Sequence, residues 1–464
     1  MSGGGGNDWT VLMPLLPLLV GALALLSASR WLKGDADRAV PWFAGSALGA
    51  SLLLALVLSA RRATAFDGLL AWDALSAVAS AVVLGGALAA VLLLPDHARR
   101  RGLGSGDFSL LVLLAATGLV LMCCAREWLT AVLALESASV CLYALAGYDR
   151  TRASSAEAAL KYFLPGAVAT GLLLYGAACH YGATGSTRIG APGLTGPLGL
   201  LASGLLLSAL AFKAGLVPFH AWVPDVYAGA PSPATAFLAA SVKAAAFALL
   251  ARFAMLSLPG CPAGTTLLVV AALATMTFAN LAGLAQTALK RLLAYSAIAH
   301  SGYLLVGLAG IRSGDSLSPL LYYLVAYALL TLGAFAAASA LEDSVTGGLE
   351  ISRMRGLARR RPVMSLMLAF CLLGLAGFPP TAGFVAKVGL FSAAWERGLG
   401  FLVVAAVLNS VVALAYYLKP ILAMFLQPAP EGVELEEAPA WSAASVLAFV
   451  GGAGGLAMGL MGSW

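Results

Sequence analysis

The feature that most limits the fold of this chain is a train of apolar runs, each roughly twenty residues long, separated by short polar punctuation. Wound as an α-helix, such a run spans the hydrocarbon core of a bilayer, about 30 Å thick. Inside lipid the backbone finds no water to bond, so only helices or closed barrels cross. The runs predict helices near 10–29, 40–60, 73–95, 106–124, 127–147, 158–181, 197–222, 232–256, 264–286, 291–311, 317–341, 363–394, 400–426 and 439–462, fourteen spans in one integral membrane domain. Two of these depend on cutting long apolar regions at Arg126-Glu127 and Lys290-Arg291. Only 10% of the 464 residues are charged, against about 25% in soluble domains. A chain this apolar dissolves in lipid.

The net charge of +6 does not point to nucleic acid, because no basic stripe with interleaved aromatics exists. The cysteines Cys123, Cys124, Cys141, Cys179, Cys261 and Cys371 lie in or beside apolar stretches. None belongs to a CxxC pair or a Cys/His cluster, so neither a metal site nor a disulfide framework is expected. Residues Met1 to Trp9 carry no basic segment and no clear cleavage site, which predicts that the first run stays as a membrane helix.

Basic residues set the orientation. Loops after odd-numbered spans hold Arg30, Lys33, Arg38, Arg99, Arg100, Arg101, Arg150, Arg152, Lys290, Arg291, Arg353, Arg355, Arg359, Arg360 and Arg361, fifteen in all. Loops after even-numbered spans hold Arg61, Arg62, Arg126, Arg188, Arg252, Arg312 and Arg397, seven in all. The odd side is expected in the cytoplasm and both termini outside. Residues 182–196 read as a flexible Gly-rich outer turn, and 342–362 as a loop with a short surface helix.

Of the 27 basic residues, five remain: Lys161, Lys213, Lys243, Lys387 and Lys419. Each is a lysine inside a predicted span. A lysine or carboxylate at mid-membrane costs roughly 2.5–3.5 kcal/mol on insertion scales. Lys213, Lys243 and Lys387 lie deep, and so does one carboxylate, Glu136. One carboxylate cannot neutralise three lysines, so fixed ion pairs do not account for them. Arginine stays charged in proteins, whereas a lysine taken out of water can release its proton. The pattern predicts a line of proton-transfer sites, with Glu136 loading or unloading a nearby lysine. Lys161 near a span start and Lys419 beside Pro420 are secondary relay candidates.

Two spans carry proline where a continuous helix would not: the seventh around Pro218, the twelfth around Pro379 and Pro380. Proline removes a backbone donor and frees a carbonyl. Such breaks survive at membrane depth only inside protein or beside a watery cavity. Their matching positions predict two inverted five-helix repeats, spans 4–8 and 9–13. His300 in the tenth span and His220 after the first break are further relay candidates. His97 reads as a loop residue and His180 as a span-end residue, both passive. Asp225 reads as a loop anchor, and Glu127 and Glu157 as helix starts.

The stretch 213–253, with Pro218-Phe219-His220-Ala221-Trp222-Val223-Pro224-Asp225 and Gly229-Ala230-Pro231, resembles subunit N of NADH–quinone oxidoreductase, respiratory complex I. So do Lys290-Arg291-Leu292-Leu293-Ala294-Tyr295-Ser296 and the broken Gly377–Lys387 stretch. The resemblance covers spans 4–13; the rest matches by position and hydropathy. It implies an antiporter-like subunit in which Glu136 tunes Lys213, protons pass by way of Lys243, and Lys387 hands them out. It also implies that this chain holds no redox centre. NAD, FMN, iron–sulfur clusters and quinone would belong to partner subunits, and the chain would sit among other membrane subunits of the complex. The uncleaved N-terminus, the Ala/Leu/Gly-rich composition and the orientation suit a bacterial inner membrane. The alternatives are a Mrp-type cation/proton antiporter, a membrane-bound hydrogenase subunit, and a passive structural subunit. A self-contained enzyme is disfavoured, since no nucleophile–base set or cofactor motif occurs.

Overall fold

The computed structural model describes residues 8–28, 39–258, 263–311, 315–342, 349–429 and 442–462. Met1–Asn7, Arg30, Lys33, Arg38, Cys261 and Arg312, used above, lie outside them.

The elements follow the hydrophobic runs closely. A short 3₁₀ lead-in runs into α1 (Leu16–Ala28), followed by α2 (Val40–Val57), α3 (Ala74–Arg101), α4 (Gly106–Cys124), α5 (Trp128–Ala146) and α6 (Ala153–Thr184). The seventh span is α7 (Gly196–Ala214) plus the short α8 (Trp222–Gly229). The eighth is α9 (Ser232–Phe237), a π-helical segment at Leu238–Val242, and α10 (Lys243–Leu256). Then come α11 (Gly264–Leu284), α12 (Leu289–Gly310) and α13 (Ser318–Leu341). The twelfth span divides into α15 (Pro362–Ala376) and α16 (Ala382–Glu396), preceded by the one-turn α14 (Leu357–Arg360). Helices α17 (Gly400–Leu426) and α18 (Ala443–Leu460) finish the chain.

Among the described residues thirteen helical stretches are long and apolar enough to cross a membrane, and the broken α15–α16 pair occupies the remaining expected span. The all-helical expectation needs one amendment. An antiparallel hairpin pairs β1 (Ala63–Ala65) with β2 (Leu70–Trp72) at the foot of α3. Phe66 and Asp67 take positive φ in its turn.

Burial sorts the helices. The α9–α10 helix is wholly buried, and α12 and α13 nearly so, while α1, α2, α17 and α18 present mostly open faces. Here an apolar open face is what lipid requires, so the inside–outside rule of soluble proteins does not apply. Helix α3 packs against α4, α9, α10 and α13, tying both halves of the chain together.

The two halves also share a backbone signature. Trp128 N–H donates to Thr187 O and Ile189 N–H to Arg126 O, both at 2.9 Å. In the second half Leu289 N–H donates to Leu349 O and Ile351 N–H to Thr287 O, again at 2.9 Å. In each case the start of one membrane helix, α5 or α12, is bridged to the loop that follows the next, α6 or α13. The 182–196 segment is therefore not a free turn: α6 reaches Thr184, and the loop is pinned at Arg126–Trp128 and by Gly190 N–H to Ser257 Oγ.

Arg252, counted above as a loop cation, sits buried inside α10 and pairs with Asp73 at 2.8 Å. Asp73 also caps α3 through the Ser76 amide. Burial alone would push the Asp73 carboxyl up; the Arg252 guanidinium and the Ser76 bonds override that and hold it below the usual carboxylate range. Lys290 likewise belongs to the first turn of α12 and is buried. His97 is no loop residue; it lies buried in the last turns of α3.

Candidate functional site

Glu136 stands on α5, and its Oε1 accepts from Thr170 Oγ1 of α6 at 2.5 Å. It is half-buried, flanked on the same face by the exposed Leu133 and Val140. Ser139, one turn along, is fully buried and takes a 2.8 Å bond from Lys213 Nζ. Tyr143, a further turn along, places its hydroxyl 3.5 Å from the same amine. Among the described residues no direct ion pair joins Glu136 to Lys213. A serine hydroxyl and a phenol surround the amine instead, and the rings of Tyr143, Tyr162 and Phe212 lie within 6 Å of it.

Lys213 is held there by the helix break. Helix α7 ends at Gly215, whose φ of +69° a side chain would resist. The carbonyls released are not left bare: Phe212 O accepts from Trp222 Nε1 at 2.9 Å and Ala214 O from Ser301 Oγ at 2.7 Å. Beside Lys213 and Lys243 lies a narrow gap with room for about one water, lined by both lysines with Tyr227, Leu238 and Ile298 among others. Two cations facing one internal space form a site that water can bridge.

Lys243 follows directly on the π-helical segment. One extra residue in that turn re-aims the helix face, a distortion frequent at functional sites. Its Nζ donates to Ala297 O of α12 and lies 4.5 Å from the centre of the Tyr327 ring. Beyond it stands His300, whose ring is 5.0 Å from that of Tyr327. His300 Nδ1 is 2.7 Å from Tyr323 OH and Nε2 is 3.4 Å from Tyr417 OH. Its ring also meets Tyr303 edge-on at 5.8 Å, and Lys387 Nζ sits 4.9 Å from the Tyr303 ring.

Lys387 projects from α16 back into the second break. Its Nζ donates to Ala376 O at 2.7 Å and to Ser410 Oγ at 2.6 Å. Ala376 is the last residue of α15, so the carbonyl that the Pro379-Pro380 break frees is the one this lysine takes. Lys213, Lys243, His300 and Lys387 therefore succeed one another through shared neighbours, and Glu136 stands one turn from the serine that bonds the first of them.

The other candidates lie apart from these. His220 is half-buried, edge-on to Phe278 at 4.6 Å. Lys161 is 45% exposed and bonded to Glu157 at 2.6 Å and Asp225 at 2.8 Å. Asp225 also takes Arg291 at 2.8 Å, so it anchors α8 as expected. Lys419 is exposed and donates to Leu284 O. Pro218, Pro379 and Pro380 lie in the breaks, exposed. Among the described residues no group of three His, Cys, Asp or Glu side chains gathers as for a metal ion.

The tyrosines were missed. Tyr143, Tyr303, Tyr323, Tyr327 and Tyr417 fill the spaces between the cations. A signal existed: Glu136, Ser139 and Tyr143 are spaced three and four apart, as are His300 with Tyr303 and Tyr323 with Tyr327. Hydroxyls on a charged helix face at membrane depth need partners.

Residues 125–413 match the family model described as NADH:quinone oxidoreductase/Mrp antiporter, transmembrane. The chain is 36% identical to NADH-quinone oxidoreductase subunit N 1 of Herpetosiphon aurantiacus, over 98% of its own length and 94% of that protein. It is 43% identical to the subunit N 1 of Sorangium cellulosum, over 75% and 72%. In shape it matches a chain of respiratory complex I from Thermus thermophilus with a TM-score of 0.85, 40% identity, and 97% of each chain covered. A chain of the Mrp complex from Dietzia matches equally in shape, at 0.85, with only 22% identity, and so shares the fold alone.

Proposed function

We propose that this chain, which belongs to the family of NADH-quinone oxidoreductase subunit N, carries protons across the membrane along the line Glu136–Lys213–Lys243–His300–Lys387. The observation that carries the reading is that Lys213, Lys243, His300 and Lys387 follow one another through shared hydroxyls, rings and a common gap beside two helix breaks, with Glu136 one helical turn from the Ser139 that bonds Lys213. Lysine amines that lean on serine, tyrosine and carbonyl oxygens, without a carboxylate each, can exchange protons instead of locking into ion pairs. Glu136 biases Lys213 through Ser139 and the space around it. Lys387, with one freed carbonyl and one serine, releases at the far end.

Electron transfer belongs to other subunits. NAD, FMN, iron–sulfur clusters and quinone are held there, and this chain works as one translocating part of the assembled oxidoreductase. Each proton moved against 100 mV costs about 2.3 kcal/mol, which must come from that chemistry. The half-buried Glu136 beside lipid-type side chains supports a neighbouring membrane subunit on the α5–α6 face, because a carboxylate at that depth is disfavoured against hydrocarbon. The two five-helix units, spans 4–8 and 9–13, act as paired half-channels. The excess of basic loops supports a cytoplasmic odd side, a bacterial inner membrane and both termini in the periplasm.

The test is Lys213→Ala in the assembled complex, in membrane vesicles, with quinone reduction and proton pumping measured together and assembly verified by blotting. Both activities should fall at least tenfold with assembly intact. Wild-type pumping and turnover would remove Lys213 from the path and leave a structural subunit.

A further inference from the structure

A second group of buried ionisable side chains lies apart from this line, where α3, α9, α12 and α13 meet on the side with the excess of basic loops. Glu342, at the end of α13, accepts from Ser232 Oγ at 2.5 Å and from Lys290 Nζ at 3.4 Å. His97 Nδ1 is 3.9 Å from the same carboxylate. All three ionisable side chains are 3–4% exposed. Lys290 has a second acceptor, Ala230 O at 2.8 Å, so it stays bonded if Glu342 is neutralised. His97 Nε2 is buried with no hydrogen-bond partner among the described groups. The charges that face the cluster are Arg100 and Arg101 from α3 and Arg152 from the start of α6. An added proton is therefore received next to cations and is given up readily.

The cluster is aligned with Lys243. On α13, Tyr327, Thr331, Phe335 and Glu342 fall within an arc of about 80° at 3.6 residues per turn, and the run from Glu342 to Tyr327 rises roughly 22 Å. Tyr327 is the ring beside Lys243. Thr331 Oγ1 is buried one turn from Tyr327, beside its hydroxyl. Phe335, wholly buried and edge-on to Tyr227 at 5.9 Å, is the bulky apolar side chain in the arc, which it shares with the small Ala338.

We propose that His97, Glu342 and Lys290 form a protonatable station at which a proton from the basic side waits before it passes along α13 to Lys243, with Phe335 as the apolar barrier between them. This rests on the reading of Lys243 given above. In the loading step an N–H bond forms at His97 Nε2 as a water-borne proton is taken up. The Nδ1 proton then goes to Glu342, leaving imidazole and carboxyl both neutral. In the unloading step the Glu342 O–H bond breaks as a neutral Lys243 amine takes up the proton by way of the Thr331 and Tyr327 hydroxyls, the carboxylate pairs again with Lys290, and His97 regains its Nδ1–H tautomer by turning its ring. A plain ion-pair clasp would not need the histidine, and buried pairs can usually be exchanged for apolar packing without loss.

The test uses the assembled complex in vesicles, with quinone reduction and acidification measured across pH for Glu342→Gln, for the charge-balanced double variant Lys290→Met with Glu342→Gln, and for His97→Gln. Lys213→Ala in the same preparation reports on the main path independently. The proposal expects the double variant to assemble yet pump at least fivefold more slowly, and His97→Gln to shift the pH dependence of pumping. A double variant that pumps at the wild-type rate with an unchanged pH profile overturns it and leaves a clasp. If Glu342→Gln and the double variant both fail to assemble, His97→Gln decides, and an unchanged pH profile there is the overturning result.

Discussion

At the scale of single residues, Lys213, Lys243 and Lys387 owe their positions to neighbours that carry no charge. Gly377 illustrates how tightly. Its φ is +84°, and a Cβ there would stand 2.8 Å from Lys387 Cδ and 3.1 Å from Nζ. Gly377→Ala thus meets two penalties at once: about 1–2 kcal/mol for an L-residue in left-handed backbone, and displacement of the amine from Ala376 O and Ser410. The expected outcome is an assembled complex with pumping reduced at least fivefold. Vesicle acidification beside a blot measures it; wild-type pumping would show that the amine has room to move.

At the scale of elements, close approach between helices depends on small side chains, since lipid supplies no hydrophobic drive for packing. Helices α13 and α18 cross at Gly333 and Gly451. A Cβ on Gly451 would lie 2.6 Å from Gly333 Cα and 2.9 Å from Leu329 O. Gly451→Leu should therefore force the helices apart at a cost of roughly 1–3 kcal/mol. A drop of a few degrees in the thermal midpoint of the purified subunit or complex in detergent is the expected reading. Quinone reduction at low temperature should change little, because α18 supplies no group to the line. The breaks in spans seven and twelve are the opposite case, places where helix is surrendered so that freed carbonyls face Trp222, Ser301 and Lys387.

At the scale of the whole molecule, the proposed line puts the deep groups in series, so one station with a permanent charge should stop it. Lys243→Arg keeps the cation but, because arginine does not lose its proton in proteins, removes the exchange. We expect assembly near wild-type levels with pumping and turnover both reduced at least tenfold. If Lys243→Arg pumps normally, charge alone is what the centre requires, and proton exchange at that position is not part of the mechanism.

The spans, the deep lysines and the two breaks were legible in the residues because each is a local conflict with lipid. Twenty apolar residues must be helix, a mid-membrane charge must have a use, and a proline at depth must have partners for the carbonyl it frees. The family resemblance added the expectation that Glu136 pairs with Lys213; in the structure Glu136 bonds Thr170 and Lys213 bonds Ser139. What the order of residues could not supply is which polar groups meet across helices. Arg252 read as a loop cation until α10 carried it inward to Asp73. His97, Lys290 and Glu342 are separated by some 50 to 250 positions in the chain, yet they share one buried space. Their convergence follows from how α3, α12 and α13 pack. Helix–helix packing in lipid is decided by shape and by polar partners from distant segments, so only the tertiary structure could join them, as it alone could line up the tyrosines between the cations.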